Sequence, residues 1–258
     1  MFSAGLSGRV EPGARGRPEL VALALLGFAA AITAFLLLPP ILRSQVGDVR
    51  GFTGQEAVDL FTPLVTMPLL VLAFELTGRL GTRARLVLVV LIAVWVSGQA
   101  IHLATNALGD LFDSGSPRDA FYATDVGKLD HWFDEVLSHW LWHVAWVGLL
   151  ALLLWVGIRG RGTEVRPMPG AVGLGAAAGV LHGFTWFVVT DEGGTYLLAI
   201  PAAAAFLVIG WLTRRLDPDR VIATFLVVGA LVSIVLYVIW IALHGWEPAS
   251  ICETLKIC

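Results

Sequence analysis

The chain has 258 residues, of which 57% are hydrophobic and only 14% charged, too few charges to cover an ordinary soluble surface. A net charge of −3, from 17 basic and 20 acidic residues, excludes a generally basic nucleic-acid binder. Two cysteines, Cys252 and Cys258, cannot make a disulfide framework or a four-thiolate zinc site.

A helix needs about 20 mostly apolar residues to cross a bilayer. In chain order, seven stretches meet that need: 20–42, 57–77, 86–107, 130–157, 171–190, 195–213 and 220–245. Backbone in lipid must satisfy its own hydrogen bonds. None of the runs alternates polar and apolar residues as barrel strands do. The predicted fold is therefore all-α, a polytopic membrane protein built as a bundle of seven transmembrane helices. Residues 1–18, rich in Gly, Arg and Pro, are expected to form a disordered tail. Residues 19–246 form the membrane domain and 247–258 a short tail at the other end. The first run is longer than a signal-peptide core and ends in Pro39-Pro40-Ile41-Leu42 rather than a cleavage site, so it reads as a retained helix. The connections are short polar turns, except for an acidic 108–129 loop with Asp110, Asp113, Asp119 and Asp125.

Arginine and lysine set the expected orientation. Arg9, Arg15 and Arg17 precede the first run, and Arg79, Arg83 and Arg85 fill the second connection. Arg159, Arg161 and Arg166 fill the fourth, and Arg214, Arg215 and Arg220 the sixth. Only Arg43, Arg50, Arg118, Lys128 and Lys256 lie at the other end. The N-terminus is expected in the cytoplasm and the C-terminus outside, in a prokaryotic plasma membrane. The terminal cysteines then fall on the oxidising side, where a local disulfide is permitted.

Ionisable side chains inside spans are costly and mark sites. All six histidines lie in or beside spans. On the fourth, His131, Glu135, His139 and His143 recur every four residues, which predicts one polar stripe about 18 Å long on an α-helix. Asp134 flanks that stripe. Counted at about 1.5 Å per residue, His102 on the third run and His182 on the fifth reach comparable depths in the Arg-poor half of the bundle. His102, His131, Glu135, His139, His143 and His182 are accordingly the candidate metal ligands. Glu135 or Asp134 is the expected general base. Gln99, Asn106 and Thr185 could hold the imidazoles by hydrogen bonds. Asp59 on the second run and Glu56 near its mouth could join from the side, and the turn Asp191-Glu192-Gly193-Gly194 could rim the mouth. His244 sits at the outer boundary and reads as a packing residue, as do Trp140, Trp142 and Trp146. Trp132 suits the interfacial belt.

Imidazole with carboxylate suits a divalent metal, zinc first and iron or copper second. A zinc-bound water near neutral pKa could hydrolyse an amide or ester of a lipid or other hydrophobic substrate, in a site facing outward. The seven helices and the HxxxH pair with a further histidine resemble the membrane hydrolase superfamily of alkaline ceramidases and adiponectin receptors. That resemblance implies a three-histidine zinc site. It stops at position, because the family's HxxxH lies on the last helix and His139 and His143 lie on the fourth. A non-haem iron, copper or haem oxidoreductase is the second reading. A metal or proton transporter or sensor is the third, although the polar ladder ends at His143 and nothing continues it toward the other face.

Overall fold

Helix boundaries follow from where the chain can and cannot donate backbone hydrogen bonds. In a computed structural model, residues 17–42, 44–48, 50–77, 80–112, 116–159, 169–216 and 221–245 are described. The two predicted tails, apart from Arg17 and Pro18, lie outside these residues, as do Asp113, Cys252, Cys258 and about half of the basic residues named above. Helix α1 (Pro18–Leu37) opens on a proline, which needs no donor in the first turn. It stops before Pro39 and Pro40, which form a single 3₁₀ turn. The remaining helices are α2 (Gly54–Leu76), α3 (Thr82–Gly109), α4 (Ser116–Ala123), α5 (Asp125–Trp132), α6 (His139–Arg159), α7 (Pro169–Glu192), α8 (Tyr196–Leu216) and α9 (Val221–His244). A π-helical segment, Phe133–Ser138, joins α5 to α6 without a break.

Seven helical segments among the described residues are long and apolar enough to cross a membrane, so the seven-helix, all-α reading holds. One of them is α5, the π segment and α6 together, 35 residues from Asp125 to Arg159. At 1.5 Å per residue it is about 50 Å long, well beyond a hydrocarbon core of about 30 Å. Helix α3, at 28 residues, is also over-long. Large side chains such as Leu64, Leu86, Val89, Val238 and Leu243 are exposed around the bundle, as a lipid-facing surface requires.

The acidic connection is not the loop expected from the sequence. Much of 108–129 is helical, in α4 and the first turn of α5. These pieces are short and polar, so a search for apolar runs passes over them. Thr124 caps α5 by accepting from the Gly127 amide at 3.0 Å. Gly127 packs directly on the Phe121 carbonyl, where a Cβ has no room. Phe121 stacks on Phe112 at 4.3 Å, and Arg118 pairs with Asp110 at 2.6 Å, which ties α4 to the end of α3.

Two prolines inside α2, Pro63 and Pro68, each withhold a backbone donor. The carbonyl that Pro63 leaves free belongs to Asp59, and Gln99 on α3 donates to it at 3.4 Å. The lost helix bond is thus replaced by a contact between helices, the usual repair for proline in a membrane helix. On the other side of the bundle α7 lies between α1 and α9. Thr33 on α1 meets Thr185 on α7 at 2.8 Å. Gly175, Gly179 and Gly183 face α9 so closely that a Cβ at Gly179 would stand 2.6 Å from the Phe225 carbonyl oxygen. Without a hydrophobic drive between helices in lipid, such close backbone packing supplies much of the attraction.

Gly179→Ala should therefore lower the stability of the detergent-solubilised protein by about 1–3 kcal/mol, because its methyl meets backbone that cannot yield. Gly173→Ala, on the same helix with nothing within 4 Å, should be neutral or stabilising by about 0.5–1 kcal/mol. Denaturant-induced unfolding followed by tryptophan emission measures both.

Candidate functional site

The π segment decides which polar residues meet. A π turn holds one residue more than an α turn, with bonds from i to i+5. Across Phe133–Ser138, residues five apart share a face, so Asp134 aligns with His139. The uniform stripe His131–Glu135–His139–His143 expected of a continuous α-helix is thereby broken. His139 and His143, both in the α-helical part, keep their shared face. His131 and Glu135 fall on the exposed side instead, and His131 makes an edge contact with Tyr122 of α4.

Helix α3 approaches this segment over Gly98. A Cβ there would lie 2.7 Å from the Ser138 carbonyl oxygen and 3.0 Å from the Trp142 nitrogen, so the close contact needs glycine. One turn further on, His102 Nδ1 donates to Asp134 Oδ1 at 2.7 Å. Thr105 Oγ1 donates to the same oxygen at 2.9 Å. Ser138 Oγ in turn donates to the Asp134 carbonyl. A carboxylate only accepts, so Asp134 fixes the hydrogen of neutral His102 on Nδ1. The other nitrogen, Nε2, then accepts from the Asn106 amide at 3.1 Å. Both nitrogens of His102 are engaged.

His139 and His143 extend the group inward. The His102 and His139 ring centres are 5.3 Å apart, and those of His139 and His143 are 5.9 Å apart. His143 is fully buried, stacks on Trp142 at 5.8 Å, and has its Nδ1 2.5 Å from Thr195 Oγ1. His143 Nε2 and His139 Nδ1 are both buried without a hydrogen-bond partner. The turn between α7 and α8 closes over them. A Cβ on Gly193 would stand 2.6 Å from His139 Nδ1 and 3.0 Å from His143 Cε1.

His182 stands apart. Its Nε2 accepts from Trp146 Nε1 at 3.1 Å, its ring stacks on Trp186, and it meets the cluster only through tryptophans: Trp186 touches His143 edge-on, and Trp146 meets Trp142. His244 lies against Trp240 at 4.2 Å, far along the last helix. Of the supporting residues expected, Asn106 does hold an imidazole. Gln99 serves the Asp59 carbonyl and Thr185 serves Thr33. Glu56 caps α2 through Thr53, and both it and Asp59 are buried beside α3. Gly193 belongs to the turn expected at the mouth, whereas Thr105, Thr195 and Gly98 carry no expected role in the sequence reading. The Gly193-Gly194-Thr195 turn does carry a signal for Thr195, a hydroxyl residue placed just before a helix.

No family model, curated protein or solved structure matches this chain. The chemistry must be read from the geometry. Two imidazoles on one tetrahedral zinc, with Zn–N near 2.0–2.1 Å, have ring centres about 5 Å apart. The spacings at His102–His139 and His139–His143 are of that order. The nitrogens are turned elsewhere: among the described residues no three His, Cys, Asp or Glu side chains converge as a metal-binding group. What the arrangement holds ready is a carboxylate-oriented imidazole beside two buried imidazoles with unfilled nitrogens.

Asp134→Ala should destabilise the folded protein by about 2–3 kcal/mol, because it strips partners from a part-buried histidine and threonine. Glu135→Ala, one residue away on the exposed side, should change stability by no more than about 0.5 kcal/mol. Equilibrium unfolding of the two variants in one detergent tests the difference, which an unbroken α-helical stripe would reverse or erase.

Proposed function

We propose that the chain is a metal-dependent membrane enzyme that hydrolyses an amide or ester bond of a lipid or other hydrophobic substrate. The observation that supports this reading is the pair of adjacent buried imidazoles, His139 and His143, each with a ring nitrogen lacking a partner. A buried polar nitrogen left unpaired costs about 1–3 kcal/mol. A divalent ion would relieve both once the rings turn these nitrogens toward it, and two neutral nitrogens with a nearby carboxylate suit zinc.

Zinc bound there would polarise a carbonyl and lower the pKa of its water toward neutrality. Asp134 keeps the Nε2 lone pair of His102 available, so His102 takes up a proton once Asn106 lets go. Asp134 thus acts through His102, and Glu135 and His131 stand at the rim. Trp132, Val136 and Trp140 expose apolar surface along the same stretch, a surface that suits a substrate arriving from the bilayer. The Arg-rich connections all lie at the opposite end, which supports an outward-facing site in a prokaryotic plasma membrane.

The same ligands would also accept iron or copper and serve oxidative chemistry. One observation favours this second reading. From His143, Trp142 meets Trp95 at 5.5 Å and Trp146 at 6.5 Å, and Trp146 meets Trp186 at 5.5 Å. That is a run of oxidisable rings beginning at the cluster.

Elemental analysis with an optical spectrum of the purified protein separates these readings. Stoichiometric zinc that is lost in His143→Ala is the expected result. Stoichiometric iron or copper would move the assignment to redox chemistry. Protein that stays metal-free after zinc loading would overturn both. Zinc rebinding should also change tryptophan emission through the Trp142–His143 stack, an effect that Trp142→Phe should diminish.

A further inference from the structure

The residue that prepares the buried cluster comes from a part of the chain with no histidine at all. Thr195 immediately precedes α8, and its carbonyl accepts from the Leu198 and Ala199 amides as the helix starts. A threonine at such a position ordinarily turns its hydroxyl to the helix's own amides. Here the hydroxyl lies 2.5 Å from His143 Nδ1. Its other neighbour is the Thr190 carbonyl at 3.5 Å, which also takes the Thr195 amide at 2.9 Å.

These partners bear on the direction of the hydrogens. A carbonyl oxygen has no hydrogen to give, so a Thr195 hydroxyl that donates to Thr190 accepts from His143. In that arrangement His143 carries its hydrogen on Nδ1, and its Nε2 presents a lone pair. Nε2 is the nitrogen with no partner in the protein. The ring cannot exchange its two nitrogens by turning over in place. Trp142 covers one face at an interplanar angle of 9°, Trp186 abuts it edge-on, and Gly193 passes so close that a methyl group would collide with Cε1.

We propose that Thr195 is a positioning residue that locks His143 in the Nδ1–H tautomer and so leaves Nε2 free to bind a metal ion. The tautomer is inferred from the two contacts of the Thr195 hydroxyl; the metal that uses it rests on the function proposed above. Histidine ligands characteristically depend on such a partner at their second nitrogen, and loss of one typically weakens metal affinity by about 10–100-fold. Here the partner is a neutral hydroxyl from another helix, so α8 and α6 must stay docked for the ligand to remain poised.

The test uses full-length protein labelled with ¹⁵N-histidine, stripped of metal by a chelator and held in detergent micelles. Two-bond ¹H–¹⁵N correlations distinguish the tautomers, and the signals absent from His143→Gln assign the residue. Wild type and Thr195→Ser should both show the Nδ1–H pattern, and Thr195→Val should shift His143 toward Nε2–H. Zinc affinity, measured against a competing chelator, should fall about 10–100-fold in Thr195→Val and recover in Thr195→Ser. An Nε2–H pattern in wild type would overturn the proposal, and that spectrum decides even if Thr195→Val fails to fold. So would an unchanged tautomer in a folded Thr195→Val. The expected tautomer in a wild-type protein that binds no zinc would instead overturn the hydrolase reading and leave the role of Thr195 standing.

Discussion

The contact between His102 and Asp134 organises the candidate site, and it exists because the helix beneath it is not a plain α-helix. The extra residue of the π turn carries Asp134 round to face α3 and lines it up with His139. Gly98 lets α3 come close enough for His102 to reach it. Thr105 then holds the carboxyl group, and Ser138 the backbone carbonyl of the same residue. Remove the π turn and Glu135 would take the inward position, with a longer side chain and a different reach. π-turns of this kind are rare and recur at functional sites, where an altered register is the benefit obtained for a less regular helix.

The rest of the bundle shows how a chain with few charges accommodates those it buries. Nearly every threonine inside a span returns its hydroxyl to a carbonyl of its own helix or meets a polar group across a helix contact. Gln99 repairs the carbonyl freed by Pro63, and Ser233 donates to carbonyls of both α7 and α9. Trp146 satisfies one nitrogen of His182. Some buried polar atoms keep no partner, among them Gln99 Oε1, His182 Nδ1, Asp191 Oδ2 and Thr224 Oγ1; those of His139 and His143 belong to neighbouring rings, 5.9 Å apart, beneath a glycine turn that excludes bulk. An unpaired polar atom in a low-dielectric interior is a standing cost, and two together are an arrangement that a ligand can complete.

Much of this was legible in the sequence. Apolar runs of helical length identified seven spans, and Arg in alternate connections gave them a consistent expected sidedness. Of the histidines expected at one site, the structure brings the rings of His102, His139 and His143 together. The register within the fourth span was not legible. No proline or glycine marks the π segment in Phe133–Ser138, so the four-residue repeat reads as a continuous stripe with Asp134 at its flank, whereas Asp134 is the carboxylate that meets His102. Depth counting put His182 level with the cluster, but depth says nothing of rotation, and the Trp146 and Trp186 rings stand between. The short α4 was hidden by its polarity, and Thr195 by the lack of any local pattern linking a turn after the fifth span to a histidine on the fourth.

A double-mutant cycle tests the central claim most directly. Unfolding free energies of His102→Ala, Asp134→Asn and the double variant should give a coupling energy of about 1–3 kcal/mol. The parallel cycle of His102→Ala with Glu135→Gln should be additive within about 0.5 kcal/mol. Additivity in the first cycle, or strong coupling to Glu135 in the second, would contradict the account, because it would mean that the register set by the π turn does not bring Asp134 to His102.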